Sequence, residues 1–64
     1  MVVTYRIDTS SLSPEEYERF YTDVDRFAFM ICIEFPRTLV VTWDESEPLE
    51  KLVPIPAGCT WDKF

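Results

Sequence analysis

Only one backbone conformation brings the apolar side chains between Leu12 and Phe27 together. Tyr17, Phe20, Tyr21, Val24, Phe27 and Ala28 recur at three- and four-residue intervals, which places them on one stripe of an α-helix. Glu15, Glu18, Arg19, Thr22, Asp25 and Arg26 fall on the opposite face. The start of the helix is equally explicit. Ser13 stands at the N-cap, where its hydroxyl accepts from an otherwise unpaired backbone N–H. Pro14 follows at the first helical position, where a missing N–H costs nothing. Glu16, three residues after Ser13, completes a capping box, and Leu12 and Tyr17 are spaced for a hydrophobic staple across it. The spacing predicts a helix over Leu12–Phe27, and everything else must pack against its stripe.

A chain of 64 residues makes one domain, near the lower limit for a self-sufficient core. Its 47% apolar and 16% aromatic content is that of a folding chain, since disordered segments are poor in aromatics and β-branched residues. Twelve acids against six bases give a net charge of −6. That balance argues against direct binding to nucleic acid or anionic lipid, which needs clustered Lys and Arg. It suits either plain solubility or a basic partner. The longest apolar run, Phe27 to Ile33, has seven residues and is too short to span a bilayer. The opening MVVTYRID has the pattern of a strand rather than of a signal peptide. The expected setting is therefore the cytoplasm, with Cys32 and Cys59 as free thiols.

Val2 to Ile7 alternates Val3, Tyr5 and Ile7 against Val2, Thr4 and Arg6, a strand with one face toward the core. Asp8 to Ser11 reads as a polar linker. Near Ala28 the period changes from helical to alternating. A second strand then sets Phe29, Ile31, Ile33 and Phe35 on one face and Met30, Cys32 and Glu34 on the other. Pro36 ends it. Thr38 to Trp43 reads as a third strand, with Leu39, Val41 and Trp43 on one face, paired antiparallel with the second across a short connection. Leu49 to Val53 has room for one helical turn. The tail carries Pro54, Pro56 and Gly58 and reads as irregular, yet Val53, Ile55, Trp61 and Phe64 predict that it lies pinned across the domain. The expected fold is α+β: a single domain over residues 1–64, β-α-β-β in order, with one amphipathic helix packed on a small, mostly antiparallel sheet and an irregular C-terminal tail. Periodicity leaves open whether the first strand pairs parallel or antiparallel.

No catalytic set emerges. There is no His, the commonest general base near neutral pH. The only Gly is Gly58, which rules out a glycine-rich phosphate loop. Two Cys without His fall short of a four-ligand zinc site, and no EF-hand spacing occurs. The expectation is a non-enzyme with no cofactor and no metal.

The densest charge lies in Asp44–Glu50 (DESEPLE), with four acids in seven residues and no base before Lys51. Asp44, Glu45, Glu47 and Glu50 would hold carboxylates at intervals comparable to the roughly 6–7 Å between phosphates along one DNA strand, twice the ~3.4 Å rise per strand. Asp8 and Glu34 join this candidate partner-binding set if the fold brings them close. The alternative is an acidic loop guarding Thr38–Trp43 as an edge strand. On the helix, Glu15 and Glu16 with Arg19, and Asp23 with Arg26, are spaced for weak ion pairs, which would dilute that face. Ten aromatics are too many for one small core, so some of Phe29, Phe35, Trp43, Trp61 and Phe64 are candidates for a contact surface.

In overall character the chain resembles the small acidic proteins by which phages disable host machinery, the DNA-mimicking anti-CRISPR proteins in particular. The resemblance rests on very short length, a single α+β domain, net negative charge, and the lack of a catalytic set or targeting segment. It covers the whole chain but no diagnostic positions. It implies a phage-encoded inhibitor, acting in the host cytoplasm as a monomer or weak homodimer. Such a protein occupies the DNA-binding groove of a basic nucleic-acid-binding complex such as a CRISPR effector. The alternative is a small structural subunit or assembly factor that binds a partner protein through its aromatic surface.

Overall fold

The computed structural model describes all 64 residues, Met1–Phe64. Strand β1 (Val2–Asp8) is followed by helix α1 (Pro14–Asp25), strands β2 (Met30–Glu34) and β3 (Thr38–Asp44), the single-turn helix α2 (Leu49–Leu52) and strand β4 (Thr60–Lys63). The strands form one sheet in the order β2-β3-β1-β4, antiparallel throughout. The fold is thus α+β as expected, and the pairing that periodicity left open is antiparallel.

Helix α1 begins as its sequence dictates. The Ser13 hydroxyl accepts from the Glu16 N–H at 3.2 Å, and the Glu16 carboxylate accepts from the Ser13 N–H at 2.9 Å. Its end is two residues earlier than the apolar stripe predicted. Arg26 caps it, and the Ala28 N–H returns to the Val24 carbonyl at 2.9 Å. Phe27 leaves the helix half-exposed and packs edge-on to Trp43, with ring centroids 6.4 Å apart.

The core lies between α1 and one sheet face. Phe20 and Val24 of the helix meet Tyr5 and Ile7 of β1 and Leu39, Val41 and Trp43 of β3, with Leu12, Leu49 and Val53 closing the ends. These are the inward positions that alternation assigned to β1 and β3. No helix covers the other face, which carries Arg6, Met30, Cys32 and Asp62, all exposed.

Two expectations are corrected. β3 is not an edge strand: it lies between β2 and β1, so the acidic loop after it guards no free edge. The tail is not wholly irregular either. After the prolines, Thr60–Lys63 pairs with Asp8–Tyr5 as β4, and Thr4 and Phe64 exchange backbone hydrogen bonds of 2.8 and 2.9 Å. The tail is pinned as predicted, with Trp61 stacked 5.5 Å from Tyr5, but by a strand.

Candidate functional site: the acidic loop and the Tyr5 node

Asp44 ends β3 opposite Val2, and the loop turns at once. The Asp44 carboxylate accepts from the Ser46 N–H at 3.0 Å, and this bond holds its carboxyl below the usual range. The Trp43 indole N–H donates to the Glu47 carbonyl at 2.6 Å, so the loop is tied back to the core residue that precedes it. Pro48 then leads into α2, whose first N–H, on Leu49, donates to the Tyr5 hydroxyl at 3.2 Å.

Tyr5 is the hub of a node that joins the loop to β1 and β4. Fully buried, it donates its hydroxyl proton to Glu50 Oε1 at 2.8 Å while accepting from Leu49. Burial, then the bond to Glu50, pushes the hydroxyl above its ordinary pKa. Burial acts to raise the Glu50 carboxyl too. Hydrogen bonds from its own N–H and from Tyr5, with Lys63 and Lys51 nearby, outweigh that effect and hold it low. On the edge of the same node, Lys63 lies 5.7 Å from the centre of the Tyr5 ring and donates to Glu45 Oε1 at 2.9 Å. That bond raises the Lys63 pKa. The second Glu45 oxygen is closed off from solvent without a partner.

The four loop acids therefore divide. Glu45 and Glu50 turn toward the domain and bind β4 and β1 together, while Asp44 and Glu47 remain exposed. Asp8 and Glu34 do not extend this patch. In the sheet register Asp8, Thr38 and Glu34 form one row, whereas Asp44 pairs with Val2 at the other end of β1. Six residues at ~3.4 Å put the two groups about 20 Å apart. Asp8 accepts from the Ser10 N–H at 2.9 Å, which lowers its pKa, and Glu34 pairs with Arg6.

The helix face also differs from expectation. The chain contains two ion pairs, Arg6–Glu34 and Lys63–Glu45, and neither Arg19 nor Arg26 takes part in one. Glu16 is already committed to the cap, and an exposed pair on a helix is worth only ~0.2–0.5 kcal/mol. Glu15, Glu18 and Asp25 therefore stand on the outer side of α1 as exposed, unpaired carboxylates. Arg37, which the sequence placed in a mere connection, instead stacks over Tyr17 with its guanidinium 5.0 Å from the ring centre. The Tyr5–Glu50–Lys63 node joins residues far apart in the chain, and no local spacing announced it.

No cluster of three or more His, Cys, Asp or Glu side chains is placed to hold a metal ion, and no helix is long and apolar enough to cross a membrane. Comparison with family models, curated proteins and solved structures finds no match to this chain.

Proposed function

We propose that this chain is a non-enzymatic, acidic protein-binding module of the host cytoplasm. In this reading it acts as an inhibitor that occupies the nucleic-acid-binding groove of a host complex, as DNA-mimicking anti-CRISPR proteins do. The observation that supports this reading is how little of the chain's negative charge is neutralised internally. Of twelve acids, only Glu34 and Glu45 are in ion pairs. Asp44 and Glu47 on the loop, and Glu15, Glu18 and Asp25 along α1, are exposed. Residues three or four apart on a helix stand ~5–6 Å from one another, close to the phosphate interval along a strand. Glu15 and Glu18 keep that interval, but Asp25 lies two turns further on and Arg19 and Arg26 share the face. The loop pair Asp44 and Glu47 is therefore what a Lys- and Arg-lined groove would chiefly meet.

The test is a pull-down of a CRISPR effector, or of another DNA-binding complex from the same host, with and without competing duplex DNA. Reversing Asp44→Lys with Glu47→Lys should weaken capture at least about tenfold, mainly by slowing association. Glu45 is left intact, because a lysine there would face Lys63 and disturb β4. Capture unaffected by the double reversal, or DNA and the protein bound together to the target, would refute the mimicry. A second reading, an assembly factor docking through its aromatics, is favoured by Phe35, which is 96% exposed. Added salt separates the two, since a charge-driven contact weakens with salt and an apolar one does not.

A further inference from the structure

The two edges of the sheet are unlike. β4 carries Asp62 and Lys63, the kind of charged side chains that keep an edge from pairing with another chain. β2 has a single charge, Glu34, and Arg6 neutralises it across the open face. Around it Phe29, Met30, Ile33 and Phe35 are all more than half exposed.

The direction of the β2 backbone follows from the ladder. In an antiparallel sheet each residue turns its N–H and C=O to one side, and successive residues alternate. Thr4 exchanges both bonds with Phe64, so Thr4 faces β4, and Tyr5 and Ile7 face β3. Their partners Val41 and Leu39 face back, so Thr42, Val40 and Thr38 face β2, meeting Met30, Cys32 and Glu34. The Phe29 N–H donates to the Thr42 carbonyl, which shows Thr42 turned toward β2, while Phe29 itself, a bend residue before the strand, falls out of the alternation. Ile31 and Ile33 therefore present their N–H and C=O groups outward, with no strand beyond them.

The segment Phe29-Met30-Ile31-Cys32-Ile33-Glu34-Phe35 reads Phe-x-Ile-Cys-Ile-x-Phe in either direction. A two-fold axis through Cys32 sets Ile31 opposite the second copy's Ile33, where the outward groups of both exchange hydrogen bonds. Phe29 and Phe35, which flank the strand at its two ends, come close to one another across the same axis. Met30 faces Glu34, so no two carboxylates oppose. The geometry points to β2 as a homodimer interface: two copies join β2 to β2 antiparallel about Cys32 and continue one sheet through both. Closed two-fold contacts require a self-complementary patch, and this segment is one. An aromatic side chain buries ~150–250 Å², so Phe29 and Phe35, 64% and 96% exposed, offer on the order of 300 Å² per copy before Ile33 and Met30 are added. That is less than a standard interface uses, about 800 Å² per partner, so the contact is that of a weak dimer held largely by the backbone bonds of Ile31 and Ile33. The odd-numbered side chains of the new strand would also lie beside the groove of about 450 Å³ between α1 and β2, lined by Pro14, Tyr17, Glu18, Tyr21, Ile33 and Arg37.

Sedimentation of the whole chain across a concentration series, at low and high salt, reads the dimer directly. We expect a concentration-dependent dimer that tightens with salt, because each copy carries −6. Phe35→Glu should raise the dissociation constant at least about tenfold with an unchanged far-UV spectrum, since Phe35 has almost no intramolecular burial. Ile33→Pro, which removes an outward N–H, should do the same if it folds. In a Cys59→Ser background, diamide should link the copies through Cys32. The two thiols each give up a hydrogen, diamide takes both to become the hydrazine, and one S–S bond forms. Opposed residues that are not hydrogen-bonded have Cα atoms ~4.5 Å apart, within the ~4.4–6.8 Å a disulfide spans. A monomer at every concentration, a dimer indifferent to Phe35→Glu, or no diamide-linked dimer through Cys32 would overturn the inference. None of these outcomes bears on the acidic reading, whose test involves other residues.

Discussion

Two side chains carry unequal kinds of stability. Phe20 is a packing residue, 4% exposed at the centre of the only long helix. Phe20→Ala should cost ~3–5 kcal/mol through the cavity it leaves. In a domain this small, where the core rarely supplies more than ~3–5 kcal/mol, the cooperative melt should vanish. Ser13→Ala should cost only ~0.5–2 kcal/mol, for one lost cap, and calorimetry on both variants checks the contrast. Tyr5 is a joint rather than a filler. Tyr5→Phe keeps the ring between Trp43 and Trp61 but strips Leu49 and Glu50 of their partner, at ~1–3 kcal/mol. It should also change the alkaline limb of stability. A hydroxyl whose pKa is raised by folding contributes fully below its unfolded value of 10.0, and the contribution is lost as pH rises through the folded value. Thermal melts between pH 8 and pH 11, both on the order of the tyrosine range, should therefore fall less steeply for Tyr5→Phe than for the parent. A residual alkaline limb should persist, because Lys63 also has a raised pKa and loses its bond to Glu45 as it deprotonates. Identical slopes in the two proteins would show that Tyr5 does not titrate with folding.

Among the elements, those written in local chemistry were legible and those written in pairing were not. The capping box, the proline at the first helical position and the inward alternation of Tyr5, Ile7, Leu39, Val41 and Trp43 are all fixed by neighbours in the chain, and all stand where they were expected. β4 was missed because Thr60–Lys63 is four residues long, follows Pro54, Pro56 and Gly58, and becomes a strand only because β1 offers it an edge. β3 was misplaced for the same reason: nothing inside Thr38–Asp44 says that a strand lies on each side. Of the candidate site, the loop acids were found, but the inward turn of Glu45 and Glu50 depends on Lys63 and Tyr5, which are distant in sequence. A chain shortened to end at Gly58 checks how much β4 contributes. It loses the Tyr5–Trp61 stacking, the Lys63–Glu45 pair and the Thr4–Phe64 bonds together. It should melt well below the parent or without a transition, whereas an unchanged melt would show β4 to be an appendage.

For the molecule as a whole, the apolar β2 edge and the acidic loop lie at different places on the surface, and salt acts on them in opposite directions. Screening should favour joining of two like-charged copies at β2 and disfavour capture of a basic partner by α1 and the acidic loop. One protein would thus respond to ionic strength with two opposed trends, each belonging to a separate set of residues. The position of β1 reaches further. Its two neighbours in the sheet are β3 and β4, both made after it, and β4 ends at Lys63. A ribosome adds residues at ~5–20 per second, while a hairpin closes in ~1–10 μs. In so short a chain, however, the ribosomal tunnel still encloses β2, β3 and β4 when Lys63 is added, so the three strands reach β1 together after release and the sheet closes in one step. The β2 edge is therefore first offered to another copy by released chains, and the rate at which the last residues are added leaves that meeting unchanged.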